Sequence, residues 1–159
     1  MPPLPRRPRG LLAPALALAL TLVAGAGGDL RVTEAPATPT DFPGLAGRLA
    51  VAGITIGDFV SGDPGCSDPE LIPTAIAFTA RGLDQAGPVP LYLYIFRNRA
   101  AFERNRDRIG PCAQSYVTDP QTFEQVEQSP YVLAGQGPWA PPFEAEFRRV
   151  LEEAAGTGG

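Results

Sequence analysis

The sequence predicts an α+β fold: a mainly antiparallel sheet of about five strands, two helices packed on one face, and one disulfide. Three observations lead there. Five short runs rich in apolar, β-branched and aromatic residues lie between positions 49 and 134. Two stretches of helical period accompany them, one between the third and fourth runs and one after the fifth. The 159 residues include 18 Gly and 19 Pro, which punctuate the chain too often for long regular elements. At 44% hydrophobic and 19% charged, the chain carries enough apolar side chains for one packed domain.

The first 26 residues read as a secretory signal rather than as part of the fold. Arg6, Arg7 and Arg9 stand without an acid before an apolar run over residues 11–23, and Ala24-Gly25-Ala26 supplies a small-x-small cleavage site. The apolar run contains Pro14 and is shorter than the roughly 20 residues of a spanning helix. An uncleaved anchor is the rival reading. Residues 27–47 hold Pro36, Pro39 and Pro43 among Thr, Ala and Gly with no sustained apolar period, the composition of a solvated spacer or a frayed end. The domain is expected over residues 48–155, with residues 156–159 as a tail.

Within the domain, residues 49–60 form the first expected strand, with Ile54, Ile56 and Phe59 near alternation. Residues 58–73 make a long loop with two Asp-Pro pairs. A second strand is expected over 74–83 and a third over 89–96. In the third, Leu91, Leu93 and Ile95 alternate with Tyr92, Tyr94 and Phe96, so it belongs at the centre of the sheet. Asn98 is placed to cap a helix over 99–109 that Gly110-Pro111 stops. Strands over 122–127 and 130–134 form a hairpin around Gln128-Ser129. The last helix opens on Pro141-Pro142, buries Phe143, Phe147, Val150, Leu151 and Ala154 at helical spacing, and ends at Gly156.

Charge and residue usage exclude several chemistries. There is no His and no Lys, and all 13 basic side chains are Arg. A Ser-His-Asp triad, a His-bearing metal site and a lysine-dependent site are therefore absent. With residues 1–26 removed, 10 Arg face 17 acids, a net charge of −7. That balance argues against nucleic acid as a partner. No cofactor is implied.

Cys66 and Cys112, the only two cysteines, are expected to form a structural disulfide in an exported chain, since no CxxC motif or third ligand supports a redox or zinc role. Asp58, Asp63, Asp68 and Glu70 offer oxygen ligands to a calcium ion, but their spacing fits turn formation better. Arg97, Arg104 and Arg108 share a helix face that suits an anionic ligand, while Glu103 and Asp107 beside them suit a solvated salt-bridged face. Trp139, in the loop 135–142, can anchor a ligand with Tyr131 nearby, or can fold back on Phe143 as a lid. Carboxylates are present, yet nothing in the pattern places one in an apolar pocket, so a catalytic residue is not assigned.

These features point to an exported, secreted or extracytoplasmic, non-enzymatic module at the cell surface or in the periplasm. Its partner would be a protein, a glycan or a small ligand. A carboxylate-dependent hydrolase is the alternative in the enzyme class. A membrane-tethered structural or sensory domain is the alternative if the N-terminal segment is kept, and only then is the membrane a partner.

Overall fold

A computed structural model describes residues 41–156. The expected signal, residues 27–40 of the expected spacer, and residues 157–159 lie outside the described residues. The elements in chain order are α1 (Phe42–Val51), β1 (Thr55–Ser61), β2 (Ala75–Arg81), β3 (Val89–Ile95), α2 (Arg99–Asn105), α3 (Ile109–Ala113), β4 (Phe123–Gln128), β5 (Tyr131–Gln136) and α4 (Pro141–Ala155). The class is α+β, with one disulfide and one five-stranded sheet in the order β1-β2-β3-β5-β4. Every neighbouring pair is antiparallel. Because β5 lies antiparallel between β3 and β4, those two run parallel, and the chain must cross over the sheet to connect them. That crossover carries α2 and α3.

The period-2 pattern decides which side chains face which layer. On one face Leu91 and Leu93 of β3, Leu133 of β5, Phe78 of β2 and Val126 of β4 meet Phe42, Leu45 and Leu49 of α1 and Phe143, Phe147, Val150 and Leu151 of α4. On the other face Tyr94, Phe96, Val132 and Ala134 meet Phe102 of α2, Ile109 and Cys112 of α3, and Leu71 of the long loop. The helices, expected together on one face, are thus divided between the two. The cause is visible in β3 and β5, whose side chains are apolar in both directions, so each face must be covered to remove them from water.

Two boundaries also differ from expectation. The fold already includes residues before 48: α1 occupies the end of the stretch read as spacer and the start of the one read as strand. Asp41 caps it by accepting the Gly44 N–H at 3.0 Å, Pro43 sits in its first turn, and Phe42, Leu45 and Leu49 fall at i, i+3 and i+7. β1 accordingly starts at Thr55. The helix expected over 99–109 ends at Asn105 and passes through a 3₁₀ turn, Arg106–Arg108, into α3. Gly110-Pro111 does not stop it. Pro111 lies in the first turn of α3, where its missing N–H is no loss, and Gly110 has no Cβ to clash with the ring that follows. Asn98 does cap α2, accepting the Ala101 N–H at 2.9 Å. Among the described residues no helix is long and apolar enough to cross a membrane.

Candidate functional site: an apolar cleft beside the disulfide

The disulfide joins Cys66 in the loop after β1 to Cys112 in α3, with Cα atoms 5.4 Å apart. Around it the loop is held by aromatic rings. The Tyr94 hydroxyl donates to the Pro64 carbonyl at 2.8 Å and lies 3.4 Å from the Tyr116 hydroxyl, while Tyr92 and Tyr116 stack with centroids 3.9 Å apart. Gly65 passes under both rings at φ +75°, where a Cβ would come within 2.3 Å of Tyr116. Burial raises the Tyr94 pKa and pushes that of Tyr116 up to about 12, so both remain neutral hydroxyls.

Arg108 donates to both carboxylate oxygens of Asp68, at 3.2 and 3.0 Å. This bond, with the Glu70 N–H on the same carboxylate, holds the Asp68 carboxyl below its usual range. The acids of the loop otherwise serve turns: Asp63 accepts the Gly65 N–H at 2.8 Å and Asp68 the Glu70 N–H at 3.0 Å. Asp58, at φ +49° where β1 bulges against β2, accepts the Thr79 hydroxyl at 3.2 Å. Among the described residues no group of three acids and cysteines converges as a metal shell.

The arginine face does not act as a unit. Arg108 is bound to Asp68; Arg97 and Arg104 are exposed, with no ion pair among the described residues. Between them Arg106 bridges to Glu127 at 3.0 Å and lies over the Phe102 ring.

Trp139 takes the lid position rather than the anchor position. It is 5% exposed, edge-on to Phe143, and its indole N–H donates to the Gln136 carbonyl at 3.0 Å. Tyr131 is fully buried against the same core and donates to the Ala154 carbonyl at 3.4 Å. Neither presents a face to a ligand.

An apolar opening of the size a ligand needs lies elsewhere. α3 and the segment leading from it to β4 enclose a cleft of about 540 Å³ lined by Gly110, Pro111, Ala113, Gln114, Val117, Pro120 and Phe123. Its size is that of a small-molecule site, and its walls are apolar except for Gln114, with no charged side chain. The far rim is fixed by Gln136 at the end of β5. The Gln136 Oε1 accepts the N–H of Thr118 at 2.8 Å, its hydroxyl at 3.2 Å, and the N–H of Asp119 at 3.3 Å. Asp119 then caps the 3₁₀ turn Pro120–Thr122 through the Gln121 N–H. The near rim is α3, tied down by the disulfide. A preorganised apolar hollow of this kind binds by removing apolar surface from water.

None of the candidate site residues named from sequence lines this cleft. Its wall residues have no shared period, since they come from a five-residue helix, an irregular segment and one strand end. The one available signal was Val117, an apolar residue between Tyr116 and the turn-forming Thr118-Asp119-Pro120. No protein-family model, curated protein or solved structure matches the chain.

Proposed function

We propose that the chain is an exported, non-enzymatic binding module that works outside the cytoplasm and takes an uncharged apolar group into the cleft between α3 and residues 117–123. The cleft carries this reading: about 540 Å³ with no charged wall favours an apolar body over an ion or a sugar ring. The ligand is an apolar small molecule or the apolar side chains of a partner protein. The bonded Cys66–Cys112 pair accords with an oxidising compartment, as does the signal-like pattern of residues 1–26. A titration of the oxidised protein with anilinonaphthalene sulfonate, read by the methyl resonances of Ala113 and Val117, tests it. The expected result is saturable binding with shifts concentrated on those methyls and on the Phe123 ring. Absence of saturable binding, or shifts centred on another surface, would overturn the assignment of the cleft.

A further inference from the structure

The two sulfurs of the disulfide are not equivalent. Both cysteines border a second hollow, about 590 Å³, open to solvent between Asp68, Pro69, Asp107, Arg108 and Ser115, but Cys66 is only half-buried there. Cys112 is 4% exposed and faces inward from α3. Behind it the Pro64 carbonyl oxygen stands 3.0 Å from Sγ and the Tyr94 hydroxyl 3.8 Å from it. A disulfide sulfur has no proton to donate, so the contact with Pro64 is not a hydrogen bond in the oxidised protein. After cleavage it becomes one. The Cys112 thiol would find an acceptor already in place, and its thiolate would find a donor in Tyr94 once that hydroxyl turns from Pro64. A buried polar group without a partner is expensive, and here the reduced form of the buried cysteine has none of that penalty.

We propose that the Cys66–Cys112 disulfide is a site of thiol–disulfide exchange, entered at Cys66 from the open hollow by a dithiol reductant, a protein with a CxxC-type pair, with Cys112 as the leaving group. The thiolate of the reductant attacks Cys66 Sγ, forming a mixed disulfide as the Cys66–Cys112 bond breaks and its electron pair leaves on Cys112. Cys112 takes a proton from solvent and donates it in a hydrogen bond to Pro64. The second thiol of the reductant then attacks its own partner sulfur in the mixed disulfide, and Cys66 leaves as a thiolate that is protonated in turn. Two electrons and two protons pass to this chain, and the reductant ends as a disulfide. The charges around the entry are Asp68, paired with Arg108, and Asp107, 3.8 Å from Arg106, so each acid has a cation beside it and the mouth carries little net field against the incoming thiolate.

The proposal does not depend on what the apolar cleft binds. The test uses the whole mature protein without denaturant. Dithiothreitol is added, and free thiols are counted by alkylation and mass. Complete reduction in the folded state, reversed on adding oxidised dithiothreitol, is expected. Cys112→Ser and Cys66→Ser lose the same covalent tie, so comparing them cancels any general loosening. The Cys66 thiol in the first is expected to react with a disulfide probe at least about tenfold faster than the Cys112 thiol in the second, because rate follows access. A disulfide that resists reduction until the protein unfolds would overturn the proposal, as would equal or inverted rates in the two variants.

Discussion

Trp139 and Glu124 show how one side chain can settle the role of another. The Glu124 Oε1 accepts the Trp139 backbone N–H at 2.9 Å, while its Oε2 is buried with no hydrogen-bond partner. The carboxylate thus fixes the loop that seats the indole over Phe143. Trp139→Ala is expected to destabilise the domain by about 3 kcal/mol or more, the cost of emptying a core aromatic site, and denaturant melts measure it. A loss under about 0.5 kcal/mol would mean that the ring is not part of the core. Gly47, exposed in α1 with open space where a Cβ would stand, makes the opposite case. Gly47→Ala is expected to raise stability by about 0.5–1 kcal/mol through backbone entropy. Asp68 carries a pH signature. Its folded-state pKa is lowered by Arg108, so its contribution is present above the unfolded carboxyl value and is lost as pH falls through the lowered one. Stability should therefore fall below about pH 4 for this group. In Arg108→Ala the Asp68 carboxyl, followed by carbon-13 resonance, should titrate closer to its ordinary value. At this scale the sequence was legible where one residue type has one dominant use. The paired cysteines, the Asn98 cap and the Asp-Pro turns are cases. It was not legible for Trp139, because an indole suits an anchor and a lid equally and only the path of the loop separates them.

Among the elements, α1 and α3 are the instructive pair. Both contain Gly and Pro, the residues that ordinarily break helices, and both are held by what they bury. Leu45 is fully buried between α4 and the sheet, so Leu45→Ala is expected to cost about 2–5 kcal/mol. A chain begun at residue 48 should be less stable by at least that amount than one begun at residue 41, and comparison of the two by thermal melting measures the contribution of α1. An unchanged melt would contradict the packing. The five strands were readable because alternation survives in short segments, and α4 because Phe143, Phe147, Val150 and Leu151 repeat over fifteen residues. α1 escaped because Gly44 and Gly47 dilute its stripe. The apolar cleft escaped for a related reason: its walls are assembled by the crossover between β3 and β4, and a crossover leaves no periodic trace in the residues that it brings together.

For the whole molecule, the central strands β3 and β5 are covered on both faces and the disulfide closes a loop of 46 positions across the layer that holds α3. In the loop-closure account a ring of that length is worth about 4 kcal/mol. Reduction should lower the melting temperature by about 15 °C in a domain of this size, a shift that calorimetry with and without reductant reads directly. The same closed ring bears on how the molecule would carry a mechanical load. Tension between Asp41 and Gly156 enters through α1 and α4, which lie together on one face and are joined across their exposed edges by the Arg48–Glu153 pair, 3.8 Å apart. Such an exposed pair adds little resistance. The helices would be drawn off before the interstrand hydrogen bonds bear force. Once the sheet parts, the covalent ring keeps 46 positions from extending, which shortens the stretched chain by about 155 Å relative to the reduced form. Cys66 and Cys112 would then act as a stop on extension, and the two oxidation states would differ in length under load as well as in stability at rest.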